Sequence, residues 1–430
     1  MTPGFLSVIL LILFVGFIAA GVPVAFSLGA AGIIGLIIED QNLMIFAQTL
    51  IAGINNFPYL AIPFFILLGA VMEKSAISRP LVELGDELVG FLTGGMAMAT
   101  VFASAVFASI SGSGPATVAA IGSISVPEMV RRGYSKRFAV GIAASAGALG
   151  PIIPPSIPFI IYGVSVEESI AKLFLGGMGA GLLLAFFFML LSFAKAKVEK
   201  VPLSQKRPSA SRILKAFWNA RLSLIAPFIV LGGIYAGVFT PTEAGGIGSI
   251  YVIVAGFFIT RSLTLQGLYE CFEKTAKTSA MIMFVIGVAY LFAWIMASWN
   301  IAQIAANAIV RWADSKFVFL LFVNILFLLI GSGLDTPAAI VILAPILHPV
   351  AIKLGIDPIH FGTVVVVNFV LGYITPPMAY NIFVAKNLAD MSMDEASIAC
   401  IPFFIASLLA LACITYIPAI SLFFPRLFMG

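Results

Sequence analysis

The chain has 430 residues, of which 61% are hydrophobic and 10% charged, with a formal net charge of +4. A soluble domain carries about 45–50% apolar and about 25% charged residues, so this composition excludes an ordinary soluble enzyme or binding module and indicates an all-α polytopic membrane protein. The basic excess sits in loops between apolar runs, as membrane topology requires, and gives no reason to expect a nucleic-acid partner. Cys271, Cys400, Cys413, His348 and His360 show no metal-ligand or disulfide spacing.

Apolar runs of membrane-crossing length fall in order along the chain. The first, Phe5 to Ala20, lacks the basic flank of a signal peptide and reads as a retained helix. Spans are predicted at roughly 4–20, 22–38 and 57–73, then a helical hairpin over about 94–130, then spans at roughly 138–164 and 173–194. Residues 195–215, with Pro202, Pro208 and several serines, have the composition of a solvated linker. The order then repeats: spans at roughly 217–239, 244–260 and 278–298, a hairpin over about 316–352, and spans at roughly 359–385 and 396–424. The chain therefore divides into a first repeat (1–194), a cytoplasmic linker (195–215) and a second repeat (216–430).

The duplication is visible residue by residue. An offset of 222 superposes Pro115 on Pro337, Ala116 on Ala338, Pro127 on Pro349, Gly133 on Gly355 and Gly150 on Gly372. It also places Pro154-Pro155 on Pro376-Pro377. Eighteen of the 23 basic residues fall in loops assigned to the cytoplasm. They include Arg131, Arg132, Lys136, Arg137, Lys206 and Arg207. Lys172, Arg311, Lys316, Lys353 and Arg426 are left outside, and the N-terminus is predicted periplasmic. Each half crosses an odd number of times, so the repeats are inverted, an arrangement common among secondary transporters.

Each repeat is broken twice inside apolar sequence: at Ser111-Gly112-Ser113-Gly114-Pro115 and at Gly150 to Pro155, and again at Gly331 to Pro337 and at Gly372 to Pro377. Irregular backbone at membrane depth must be buried in protein or line a wet cavity. An ending helix frees carbonyls and a starting one frees N–H groups, which suit a cation and a carboxylate respectively. Pro115 fits the first turn of a new helix. Two cation sites are expected, for Na⁺. The candidate ligands are Ser109, Ser111, Gly112, Ser113, Gly147, Gly150, Gly331, Gly333, Thr336, Gly372 and Thr375. Candidate substrate contacts are Ser113, Gly114, Asp335, Thr336, Ser156, Asn368 and Tyr380. Asp335 reads equally as an intramembrane functional acid or as a helix cap. Asn368 and Ser145 either line the cavity or bond a neighbouring helix. Glu243, in Thr240-Pro241-Thr242-Glu243, reads as a capping box, and His348 and His360 as interfacial groups. Trp218, Trp294, Trp299 and Trp312 read as an aromatic belt.

Ala61-Ile62-Pro63-Phe64-Phe65-Ile66-Leu67-Leu68-Gly69, Ser111-Gly112-Ser113 with Ala116-Thr117-Val118-Ala119-Ala120-Ile121-Gly122, Gly150-Pro151-Ile152-Ile153-Pro154-Pro155-Ser156 and Thr375-Pro376-Pro377 carry a resemblance. With Pro127-Glu128-Met129, Leu343-Ala344-Pro345-Ile346-Leu347 and Leu354-Gly355-Ile356-Asp357-Pro358, they make the chain similar throughout to the large membrane subunit of the tripartite ATP-independent periplasmic (TRAP) transporters. The resemblance implies an elevator-type fold in which a mobile transport domain, holding both hairpins, slides against a scaffold domain. It implies Na⁺-coupled import of an organic acid across the bacterial inner membrane. It also implies a periplasmic substrate-binding protein and a small four-helix membrane subunit on a separate chain. Pro115 and Met378-Ala379-Tyr380 depart from the family pattern, and Tyr380 is expected to shape the pocket. A stand-alone Na⁺/carboxylate symporter or an ion antiporter of related architecture is the alternative. An ion antiporter would want more intramembrane charge than Asp335, and an intramembrane enzyme a catalytic constellation that the sequence lacks.

Overall fold

A computed structural model describes residues 3–75, 77–202, 209–300, 304, 315–377 and 379–430, with side chains from residue 8 onward. Lys206, Arg207, Pro208, Arg311, Trp312 and Met378 lie outside the described residues. The described residues form helices joined by short turns, with no strand among them. Among the described residues eight helices are long and apolar enough to cross a bilayer, including Ile170–Val198, Leu265–Ser298 and Met393–Tyr416. Large apolar side chains such as Phe228 (77% exposed), Phe258 (74%) and Leu329 (69%) face outward, where only an apolar solvent makes them favourable.

The helices pack in two groups. Pro3–Ala19, Val24–Ile38, Met44–Ile54, Ala61–Lys74, Pro241–Ile259 and Leu265–Ser298 pack mainly against one another, and Ala210–Tyr235 packs on Pro241–Ile259 and on Arg79–Val89. The second group is built around two helical hairpins. The first descends along Gly95–Ser111 and returns through Gly114–Thr117, a short π-helical segment Val118–Gly122 and Ser123–Arg131. The second is Lys316–Gly333 followed by Thr336–Lys353. Each hairpin is followed by an interrupted helix: Lys136–Gly147 with Ile157–Ser165, and Pro358–Leu371 with Tyr380–Asn387. Both interruptions contain a cis Pro-Pro bond, Pro154–Pro155 and Pro376–Pro377. Gly133 and Gly355, which follow the two hairpins, both take positive φ (89° and 70°), a conformation that costs residues with a Cβ.

The structure departs from the predicted spans in four places. Met44–Ile54 is an additional helix, too short to cross a bilayer. The predicted 278–298 span is the end of the 34-residue helix Leu265–Ser298. Its polar first turns hold helix outside the apolar run, aided by the Lys277–Glu273 pair one turn apart. The predicted 396–424 span stops at Tyr416 and restarts at Ala419, across Pro418. Arg79–Val89, read as loop, is a helix between the first hairpin and Ala210–Tyr235. Its polar face is pinned to the hairpin base: Asp86 accepts two hydrogen bonds from Arg132 at 2.6 and 2.8 Å, and Arg132 also bonds Glu128 at 2.7 Å. These partners, Asp86 first, raise the Arg132 pKa above its already high ordinary value.

Three single-residue expectations resolve plainly. Thr240 and Glu243 form a capping box at the start of Pro241–Val254. His348 and His360 are buried, each with internal partners: Tyr162 for His348, and Ser421 and the Thr415 carbonyl for His360. Trp218 is exposed (66%), but Trp299 is buried (5%) and belongs to the core.

Candidate functional site

Both hairpin tips face one cavity of about 400 Å³. The first contributes Ser111 to Ala116, the second Asp335 and Pro337. Pro151, Tyr373 and Tyr380 enter from the interrupted helices. The far wall is formed by Ile66, Gly69, Ala70 and Glu73 of Ala61–Lys74, and by Lys274, Thr278, Met281 and Ile282 of Leu265–Ser298.

The first tip is a helix end and a helix start held by hydroxyls. Gly112 is left-handed (φ 59°), ending the first arm. Ser113 caps the second, accepting weakly from the Ala116 N–H at 3.5 Å, and Pro115 lies in its first turn, where no N–H is missed. Thr117 donates to the Ser113 carbonyl at 2.8 Å, and its Oγ1 lies 3.1 Å from the Ser111 Oγ. At the second tip Asp335 occupies the cap position of Thr336–Lys353, yet its side chain makes no capping bond. Its partner is the Tyr380 hydroxyl, which donates at 3.4 Å. Tyr380 in turn stands edge-on to Tyr373, with ring centroids 5.4 Å apart.

Gly150 and Gly372, the equivalents under the offset of 222, explain why each tip sits where it does. A Cβ on Gly150 would stand 2.5 Å from the Ser113 carbonyl oxygen, and one on Gly372 only 2.0 Å from that of Gly331. Glycine is therefore required at both for backbone to approach backbone. Each hairpin tip is thus pressed against the interrupted helix of its own half. The first tip is also closed by the second half: a Cβ on Gly114 would meet Asn381 Oδ1 at 2.6 Å and Tyr373 at 3.0 Å.

The predicted residues separate by position. Ser111, Gly112, Ser113, Gly114, Asp335 and Tyr380 line the cavity. Gly147, Gly150, Gly331, Gly372 and Thr336 are buried behind it, and Gly333 is exposed. The Thr375 hydroxyl is spent on the Leu371 carbonyl (2.9 Å) and that of Ser109 on the Val106 carbonyl (2.6 Å). Ser156 is turned into its own Pro-Pro loop, donating to the Pro151 carbonyl at 2.5 Å, and Asn368 bonds Asn324 at 2.7 Å between helices. Neither is among the cavity-lining residues. The sequence reading passed over Asn381, Tyr373, Thr117 and Asn324. Asn381 is fully buried, gives its Nδ2–H to the Ala144 carbonyl at 3.0 Å, and leaves its Oδ1 without a partner. The buried Thr336 Oγ1 is likewise unpartnered. Buried polar atoms are seldom left so, and both are hard oxygen donors beside the tips.

The profile of the family described as the tripartite ATP-independent periplasmic transporter, DctM component, matches residues 11–420. The chain belongs to that family. It is 40% identical over 401 residues to the C4-dicarboxylate TRAP transporter large permease protein DctM of Pseudomonas aeruginosa, covering 93% of this chain and 94% of the relative. It is 43% identical to the isethionate TRAP transporter permease protein DctMQ of Oleidesulfovibrio alaskensis, covering 95% of this chain and 64% of that longer protein. The sialic acid TRAP transporter large permease protein SiaM of Vibrio cholerae is 34% identical, covering 96% of this chain and 97% of SiaM. In fold this TRAP permease is similar to the Alcanivorax borkumensis YdaH transporter, with a TM-score of 0.56 at 17% identity over 87% of this chain and 88% of that one. Neisseria gonorrhoeae MtrF gives 0.59 at 14% identity over 87% and 83%. The chain is thus a multi-span membrane component of a tripartite transporter for organic acids.

Proposed function

We propose that this TRAP permease is the transport subunit of a Na⁺-coupled importer in the bacterial inner membrane, with its N-terminus periplasmic. A periplasmic binding protein hands it an organic acid, and a small membrane subunit on a separate chain supports its outer helices. The reading rests on one arrangement: two symmetry-equivalent hairpin tips, each pressed by a glycine against an interrupted helix, opening on a shared cavity. The carbonyls and hydroxyls around Ser111–Ser113, Gly147 and Gly150, joined by Asn381, are oxygen donors suited to one Na⁺. Those of Gly331, Gly333, Thr336, Gly372 and Thr375 suit a second. The unpartnered Asn381 Oδ1 and Thr336 Oγ1 support this use. Helix starts at Gly114 and Thr336 offer N–H groups to a substrate carboxylate, with Ser113, Asp335 and Tyr380 placed to take its hydroxyls. Elevator movement would carry the hairpins and interrupted helices together past the outer helices.

The test is uptake into proteoliposomes holding this chain and its small partner, with the binding protein outside. The panel is isethionate, succinate, N-acetylneuraminate and 2,3-diketo-L-gulonate, chosen because relatives are named for such acids. Uptake of one acid requiring both an inward Na⁺ gradient and the binding protein is expected. Uptake without the binding protein would favour a stand-alone symporter, and Na⁺-independent flux would refute the cation sites.

A further inference from the structure

Two ion pairs tie Ala61–Lys74 to Leu265–Ser298 at the end of the cavity that the lysines place in the cytoplasm. Lys74 bonds Glu270 at 2.6 Å, and Lys274 bonds Glu73 at 2.8 Å. They join the same two helices but differ in what they face. Glu73 and Lys274 line the cavity; Lys74 and Glu270 do not. Lys277, one turn from Glu273, is paired there and also lies outside the lining. Among the described residues the cavity's cationic side chain is Lys274.

The helix geometry gives the route. Gly69 packs on the tip of the first hairpin, where a Cβ would stand 3.2 Å from Ser111 Cα. Glu73 lies four residues further along, about 6 Å of helix rise toward the cytoplasm. On the facing helix Met281 and Ile282, Thr278 and Lys274 follow at successive turns, a path of roughly 11 Å. It runs from an apolar floor, past one hydroxyl, to a charged mouth. There the Lys274 and Glu73 side chains are 55% and 29% exposed. An ion pair so exposed is weak and exchanges partners readily.

We propose that Lys274 is an exit residue: a carboxylate or sulfonate leaving the hairpin tips displaces Glu73 from Lys274 before it enters the cytoplasm, and Glu73 then reclaims the lysine. The proposal rests on the reading of the cavity as the path of an organic acid. Glu73 thus competes with the departing anion, and the two residues carry opposite signs of effect.

The experiment is binding-protein-driven uptake into proteoliposomes, which counts only molecules with their periplasmic face outward. The same acid (isethionate, succinate, N-acetylneuraminate or 2,3-diketo-L-gulonate, whichever wild type carries) is added inside at rising concentration. The internal concentration that halves uptake should rise about five-fold in Lys274→Gln, the scale of one contact charge in water. It should fall in Glu73→Gln and stay at the wild-type value in Lys274→Arg. Half-saturation from outside should not change in any of them. Lys74→Gln breaks the neighbouring pair on the same helices and should leave the internal constant alone, separating exit chemistry from scaffold damage. Added internal salt should shrink the difference between wild type and Lys274→Gln. An internal constant equal in wild type and Lys274→Gln, or one shifted as far by Lys74→Gln, overturns the proposal. A wild-type protein that carries none of the four acids overturns the transport reading itself.

Discussion

Replacing Gly372 with alanine tests whether the second tip depends on backbone contact. The new Cβ would lie 2.0 Å from the Gly331 carbonyl oxygen and 2.5 Å from its carbon, where real contacts stay beyond 3.0 Å. Both obstructing atoms are backbone, so the hairpin end must retreat by at least 1.0 Å from the interrupted helix. Overpacking of this kind costs about 1–3 kcal/mol. If that strain is relieved when the carbonyls move out of a shared Na⁺ site, the Na⁺ concentration for half-maximal uptake rises by roughly 5- to 150-fold, at about 1.4 kcal/mol per decade. The assay is Na⁺-dependent uptake in proteoliposomes, with thermal unfolding of the purified variant alongside. Gly232→Ala, in the helix Ala210–Tyr235, supplies the control, because a Cβ there meets nothing within 4 Å. It should behave as wild type in both measurements. A Gly372→Ala protein with wild-type Na⁺ dependence, or a Gly232→Ala protein equally impaired, would refute the reasoning.

Arg132→Gln should lower stability by about 2 kcal/mol, since it strips charge-assisted bonds from the half-buried Asp86. Arg131→Gln, whose side chain is 77% exposed, should change it by under about 1 kcal/mol; chemical or thermal denaturation in detergent compares the two. Asn368→Ala removes one of the bonds to Asn324, which keeps Thr415 as a partner, and should destabilise by about 1 kcal/mol, with substrate half-saturation unchanged in uptake. Asn381→Leu removes the oxygen beside Gly114 and should raise the Na⁺ half-saturation at least about ten-fold, one decade per 1.4 kcal/mol of lost liganding. Tyr380→Phe loses only a long bond to Asp335. It should leave stability within about 0.5 kcal/mol while shifting substrate half-saturation, a change read from the same uptake curves.

The hairpin tips and Pro-Pro interruptions were legible because glycine and proline constrain the backbone itself, and because each recurs at a fixed offset. Residues whose role lies in a partner across the fold were not. Asn381 has Phe159 as its counterpart under the offset, so symmetry could not flag it. Only its distant contacts with Ala144 and Gly114 do so. Asn368 was singled out as a polar group in apolar sequence, a signal that cannot distinguish a cavity from a neighbouring helix. Arg79–Val89 was missed for a related reason. Its charges at Arg79, Glu83 and Asp86 look like a solvated loop until the hairpin base supplies Arg132.

The reach from Asn381 back to Ala144 spans 237 residues of chain. At about 5–20 residues per second of synthesis, the ribosome needs roughly 12–47 s to bridge it. Throughout that interval the first hairpin stands in the bilayer with its break at Gly112–Pro115 uncapped by its final neighbour. The newborn protein therefore carries an open polar seam in lipid until nearly its last helices arrive. A chain truncated before Asn381 would be expected to expose that seam permanently, and to be a target for membrane proteases.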